Sequence, residues 1–262
     1  MTVEQVAERL LCSATKISRM ETGHRGASLR DVRDLCELYG VLDPAQREHM
    51  MTLAREGKQQ AWWQSYDLPY STYVGLEAEA ASISDYDSAV VPGLLQTEAY
   101  VRALHEAGIP RLDAGVVEQR VTERLTRQEL LTKDDPPRFW TVLDEAVLRR
   151  VVGGRAVMRA QLERVIDVSG LPNVTVQIIP YAAGAHPALD SIFTILEFAG
   201  PVPAIVYVEG LVGQIYLERP QDADRYRQIF ERLCTMALNP QESIDLVASV
   251  RGEHRDGLSV AG

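Results

Sequence analysis

The stretch Ser13-Ala-Thr-Lys-Ile-Ser-Arg-Met-Glu-Thr-Gly23, SATKISRMETG, reads as a short helix meant to be approached from one side. Ser13 is a good N-cap, because its hydroxyl takes an amide proton that the first helical turn leaves unpaired. Gly23 stands where such a helix stops. At ~100° per residue, Ala14, Ile17 and Met20 fall on one arc and Thr15, Lys16 and Arg19 on the opposite one. A helix with an apolar edge to pack and a small, basic edge to present fits a DNA major groove. Many helical hairpins share that pattern, so spacing alone leaves a plain structural bundle open.

Working outward, Val3, Val6, Ala7 and Leu10 follow the i, i+3, i+4, i+7 rule and predict a helix over residues 2–10. Thr2 is its N-cap, and Gln5 completes a capping box. Leu11-Cys12 breaks the pattern. Ser28 caps a third helix with the stripe Leu29, Val32, Leu35, Cys36 and Tyr39, stopped by Gly40. Asp43-Pro44 opens a fourth, with proline at its first position and Met50, Leu53 and Ala54 turned inward. Residues 1–56 thus form an all-α bundle, and 57–66, with Trp62 and Trp63, read as a connector whose tryptophans dock one domain on the other.

The motif S-x-x-x-I-S-R-x-E-x-G, the Ala7 and Ile17 core positions and the following helix ending in Leu-Tyr-Gly-Val resemble the helix-turn-helix of the phage-repressor (XRE, Cro/C1-type) regulators over residues 2 to about 42. The resemblance implies double-stranded DNA as partner, with Thr15, Lys16 and Arg19 at base edges and Thr2, His24, Arg25 and Arg30 at phosphates. Arginine pairs bidentately with guanine, and threonine touches a thymine methyl or an acceptor. Two departures stand out. Leu11 occupies the turn position usually held by glycine, at a cost of about 1 kcal/mol if its backbone is left-handed. Family members also carry a further helix ahead of this point. Glu21, beside the apolar arc, would there pair with an arginine of that helix, so either it is solvated here or the true start lies upstream. The expectation is an upstream, in-frame amphipathic segment containing an arginine; a stop codon immediately before Met1 would contradict it.

Beyond residue 66 the chain changes character. Tyr73, Leu76, Ala80 and Ile83 predict an acidic helix, and a turn at Val91-Pro92-Gly93 leads to a helix through Tyr100 and Leu104. Val117, Val121 and Leu125 mark another. Strands follow at Phe139–Leu143, Val174–Ile179, Ile192–Phe198 and Ile205–Val208, with helices around Leu162, from Asp222 to Leu238 and from Ser243 to Val250. The fold class is α+β: a helix-turn-helix bundle, its first helix missing, joined to a larger domain at 67–250 with a small sheet, then a disordered tail at 251–262. YVGLEAEAASISDYDSAVVPGLLQTEAYVRAL, DEAVLRR, IIPYAAGAHPALDSIFTILEF and IVYVEGLVGQIYLERPQDADRYRQIFERL resemble the C-terminal domain of a large actinobacterial regulator family that follows such helix-turn-helices. That domain has no assigned function. The family includes developmental and antitoxin-like regulators encoded beside a small protein, which implies such a partner.

Composition narrows the alternatives. A hydrophobic share of 46% with 24% charge fits an ordinary soluble protein, and no apolar run approaches the roughly 20 residues of a membrane span. Met-Thr-Val-Glu is no signal peptide, so cytoplasm is expected, with no membrane partner. Cys12, Cys36 and Cys234 are too scattered for a disulfide framework or zinc site. Residues 1–60 hold nine Lys/Arg and nine Asp/Glu, so the rest of the chain carries the entire net charge of −10. Asp144-Glu145, His186 and Glu209 stand at strand ends, where an acid–base site would place them. Without a phosphate loop, a metal-ligand pair or a nucleophile elbow they read as hydrogen-bonding groups, with His186 and Glu209 as candidate ligand or partner contacts. Arg120, Arg124 and Arg127 read as a solvated basic stripe, or as partners for Glu77 and Glu79. The expectation is therefore a regulator, not an enzyme, with no cofactor or metal, acting as a homodimer on DNA. The alternative is an interaction module that sequesters a partner and no longer binds DNA.

Overall fold

The computed structural model describes residues 1–21, 26–56, 70–109, 111–210 and 213–254, which divide into two compact units, 1–65 and 66–262. The expected connector at 57–66, Trp62 and Trp63 included, lies wholly outside the described residues.

In the smaller unit α1 (Val3–Arg9), α2 (Ala14–Glu21), α3 (Leu29–Leu38) and α4 (Pro44–Glu56) surround a core of Val6, Ala7 and Ile17, with Leu10, Leu35 and Leu38 packed on it. Two of the three expected N-caps, Thr2 and Ser28, form full capping boxes. Thr2 accepts from the Gln5 amide while Gln5 Oε1 takes the Thr2 amide, and Ser28 forms the same box with Asp31. Tyr39 and Leu53, expected inward, are instead half exposed, because α3 and α4 meet through Cys36 and Met50, whose sulfurs lie 3.5 Å apart.

The ends of α1 and α3 are built alike. The Leu11 amide donates to Glu8 O at 3.2 Å and the Cys12 amide to Ala7 O at 2.9 Å; Gly40 and Val41 repeat this toward Glu37 O and Cys36 O at 3.3 and 2.9 Å. Both are Schellman closures, which need one residue in the left-handed region. At the end of α3 that residue is Gly40, φ 69°; at the end of α1 it is Leu11, φ 51°. Leu11 is 94% exposed, so its side chain recovers little of the conformational cost by packing.

The larger unit is an α+β fold whose mixed sheet runs β3-β2-β1-β4-β5-β6. Its strands are β1 (Ser82–Asp87), β2 (Arg138–Asp144), β3 (Val174–Ile179), β4 (Phe193–Glu197), β5 (Ile205–Gly210) and β6 (Gly213–Leu217). The first three are parallel, and β4 to β6 continue antiparallel from β1. Two expectations are corrected here. The helix thought to reach Ile83 ends earlier, as α5 (Ser71–Glu79), and Ile83 begins the inner face of the central strand; β6 was not foreseen at all. Helices α6 (Glu98–Glu106) and α7 (Ala114–Gln128) connect β1 to β2, and α8 (Glu145–Arg149) and α9 (Arg155–Ser169) connect β2 to β3. Among the described residues the last elements are α10 (Pro220–Met236) and α11 (Pro240–Glu253), so residues 251–253, assigned to the tail, are helical, and 255–262 lie outside the described residues.

Strand alternation sorts the core onto two faces. Ile83, Phe139, Leu143, Val176, Ile178 and Leu196 meet α9 and α11 on one side. Tyr86, Val142, Phe193, Ile195 and Val206 meet Phe230 and Leu233 of α10 on the other. The basic stripe of α7 also turns inward. Arg127 is buried, its Nε and Nη2 donating to Glu77 at 2.8 Å each and its Nη1 to Glu123 at 3.2 Å. Arg124 Nη1 donates to Gln96 Oε1 at 3.1 Å, and Arg120 lies over the Tyr70 ring. A buried guanidinium demands such counter-charges, and α5 supplies one from fifty residues away.

The comparison of the two Schellman turns predicts that Leu11→Gly raises the stability of the smaller unit. Relief of about 1–2 kcal/mol of left-handed strain is partly offset by the greater freedom of glycine in the unfolded chain, about 0.4–1 kcal/mol. Slower hydrogen exchange at the Cys12 and Ile17 amides checks this; unchanged or faster exchange contradicts it.

Candidate nucleic-acid interface

Helix α2 follows α1 after a three-residue break, with the Ser13 hydroxyl accepting from the Lys16 amide at 3.2 Å. Ile17, 1% exposed, anchors it against Val6 and Ala7, and Ala14 and Met20 flank that contact. Thr15, Ser18 and Arg19 are left exposed on the outer face. Among the described residues Arg19 makes no ion pair, so its guanidinium is available to an incoming acceptor.

Lys16 behaves differently from its neighbours. It is half-buried, and its ammonium is bonded to Asp31 Oδ1 at the start of α3. Asp31 Oδ2 meanwhile accepts from the Ser28 amide at 3.0 Å and the Ser28 hydroxyl at 2.6 Å. Burial opposes the charge on Asp31, but Lys16 and the two Ser28 donors outweigh it and hold the carboxyl at about 2. One carboxylate thus caps α3 and ties α2 to it. Lys16 reaches a base only by leaving that pair. Sequence reading missed Asp31, although Ser28-x-x-Asp31 has capping-box spacing.

Arg30, on the first turn of α3, is exposed and its Nε lies 3.6 Å from Asp34 Oδ2. Such an exposed pair holds its partners weakly. The Thr2 hydroxyl is engaged as the cap of α1, with Glu4 in the same turn. His24 and Arg25 lie outside the described residues. Glu21 is exposed, so no buried charge is stranded on α2.

The remaining candidates belong to the larger unit. His186 is buried, its Nε2 3.3 Å from Tyr86 Oη and 3.7 Å from Asp144 Oδ2. Asp144 also caps α8 by accepting from the Ala146 amide at 2.8 Å, and Glu145 accepts from the Tyr181 amide at 2.8 Å and from Arg149. Glu209 lines a cavity that Tyr86 also lines and His186 does not. No helix among the described residues is long and apolar enough to cross a membrane.

A family model described as "Domain of unknown function (DUF5753)" matches residues 70–249, and a second, described as "Helix-turn-helix domain", matches residues 1–50. The chain belongs to the first family. The second match, on the α1–α2 geometry above, supports a DNA-binding regulator. No curated protein and no solved structure matches the chain.

The double duty of Asp31 predicts its titration. A carboxyl depressed to about 2 adds stability that is complete above its unfolded value of ~3.9 and is lost as pH falls through 2. NMR should find the Asp31 side chain titrating near 2 in the native protein, and Lys16→Met should move it upward; an Asp31 titration near 3.9 contradicts the pairing.

Proposed function

We propose that the chain is a sequence-specific transcriptional regulator in which α2 enters the major groove, with Thr15 and Arg19 at base edges. What carries this reading is the division of α2: a single buried residue, Ile17, holds it, and Arg19, without an ion pair among the described residues, stands on the opposite side. Lys16, restrained by Asp31, sets the angle between α2 and α3 and approaches the backbone rather than a base. Arg30 takes a phosphate, with Thr2, His24 and Arg25 completing the backbone contacts. Contacts of this kind supply affinity and register, whereas base-edge contacts supply sequence preference.

One such unit reads only a few base pairs, so the regulator acts as a homodimer on half-sites about one helical turn, ~34 Å, apart. The acidic character of the chain beyond residue 60 suits that part to contacts other than phosphate. A small protein encoded nearby is the partner this reading assigns to it.

Fluorescence anisotropy on the protein's own promoter tests the assignment. Arg19→Ala should lose about 1–3 kcal/mol on the specific duplex and little on a scrambled one. Arg30→Ala should weaken both alike and reduce the log–log salt slope by about 0.9. Equal losses on the two duplexes for Arg19→Ala reject its base-reading role.

A further inference from the structure

The sheet of the larger unit carries an acid where its neighbours carry hydrocarbon. Along one face, the rung before it is Phe139–Ile83–Leu196; the next is Thr141–Asp85–Thr194–Tyr207. Asp85 sits at the centre of the sheet, accepting from Thr194 Oγ1 at 2.9 Å and Thr141 Oγ1 at 3.2 Å. Asp87, one alternation further on, accepts from the Ala89 and Val90 amides at 3.1 and 3.3 Å. These two and Glu209 line a cavity of about 150 Å³ roofed by α5, α7 and the Val90–Gln96 turn. One wall is aromatic: Tyr73 packs on Tyr207 at 4.2 Å between ring centroids.

The charge in this cavity does not balance. Arg127 is already held by Glu77 and Glu123; Arg124, which also lines the cavity, donates to the neutral Gln96 and makes no ion pair among the described residues, so it offsets one of the three carboxylates and leaves the other two. Among the described residues neither Asp85, Asp87 nor Glu209 has an ion-pair partner. Asp85 and Asp87 are part-buried and Glu209 is exposed at the rim; holding part-buried carboxylates side by side with no cation between them is costly, and the protein carries that cost at a cavity rather than in solid packing. Aromatic faces around the carboxylates add attraction for a cation. The volume equals that of an engineered cavity which admits benzene, so the occupant is small.

We propose that this cavity is a ligand site of the larger unit, and that it takes a small organic cation, an ammonium or guanidinium on a short apolar body. Its positive group would sit between Asp85, Asp87 and Glu209, with the apolar body against Tyr73 and Tyr207. The proposal does not depend on DNA binding.

Proton linkage supports it. Burial foremost, with help from the neighbouring carboxylate Asp87, pushes Asp85 up to about 7; burial and Glu209 push Asp87 up to about 6 against the pull of its backbone donors. The other groups facing them are Tyr70 ahead of α5, Glu77 and Tyr73 on α5, Arg124 and Arg127 on α7 and Tyr207 on β5. Burial keeps the Tyr73 and Tyr207 phenols protonated; for Arg127 it opposes the charge, which Glu77 overcomes. Carboxyls raised in the native state lower its stability as pH climbs from their unfolded values through about 7. Cation binding should therefore release protons and tighten over the same interval.

Calorimetry on the full chain with agmatine and 1,5-diaminopentane, against the neutral isostere 1,5-pentanediol and the dianion glutarate, tests this. At least one of the two cations should bind at about pH 8, about tenfold more weakly at about pH 5, and the diol and glutarate not measurably. Asp85→Asn should raise the melting temperature of the unliganded protein at the higher pH, showing an intact fold, and weaken cation binding at least about tenfold, as loss of one charged partner implies. Absence of binding by both cations, equal binding of the diol or glutarate, or undiminished binding by Asp85→Asn overturns the proposal. The last result would place the cation on the acidic surface instead.

Discussion

A helix of eight residues does not persist alone in water, so α2 exists because Ile17 is driven against Val6 and Ala7. That single contact fixes everything else about α2. With Ile17 inward, Thr15, Ser18 and Arg19 have no choice but to face outward. The Schellman closure after α1 sets where α2 begins, and the chain tolerates a left-handed Leu11 to keep it. Lys16 and Asp31 then bind α2 to α3, so the outward face is carried on a small rigid support rather than on a loop.

Most of this smaller unit was legible because its information is local. Caps, an i, i+3, i+4 stripe and an arrest at Gly40 are read within one turn of the residue concerned, and α1, α3 and α4 begin where Thr2, Ser28 and Pro44 indicate. Lys16 was less legible. Spacing places it on the polar arc with Thr15 and Arg19, but its partner is fifteen residues away and belongs to another helix. A helical wheel records which way a side chain leaves the axis; it does not record what waits there.

The larger unit shows the same limit on a larger scale. Strands β3 and β5 were legible from dense β-branched runs, whereas Ser82-Ile-Ser-Asp-Tyr-Asp87 lacks one and was absorbed into the preceding helix. It is a strand because β2 and β4 flank it, a non-local cause that overrides propensity. Misreading β1 also hid its chemistry, since only a central strand puts Asp85 and Asp87 on the core side of a sheet. Arg127 was half legible: its stripe read either as solvated or as a partner for Glu77 and Glu79, and Glu77, with Glu123, draws it inside. The acids at the cavity outnumber its arginines: Arg127 is committed to Glu77 and Glu123, which leaves Arg124 against three carboxylates.

The most direct test of the account is an NMR titration of the isotopically labelled full chain with a duplex from its own promoter. The account predicts that the largest amide and side-chain shifts fall on Thr15, Ser18, Arg19 and Arg30, with the Ile17 methyls little changed inside their pocket. Shifts confined to other surfaces, with α2 silent while the duplex is bound, would contradict it.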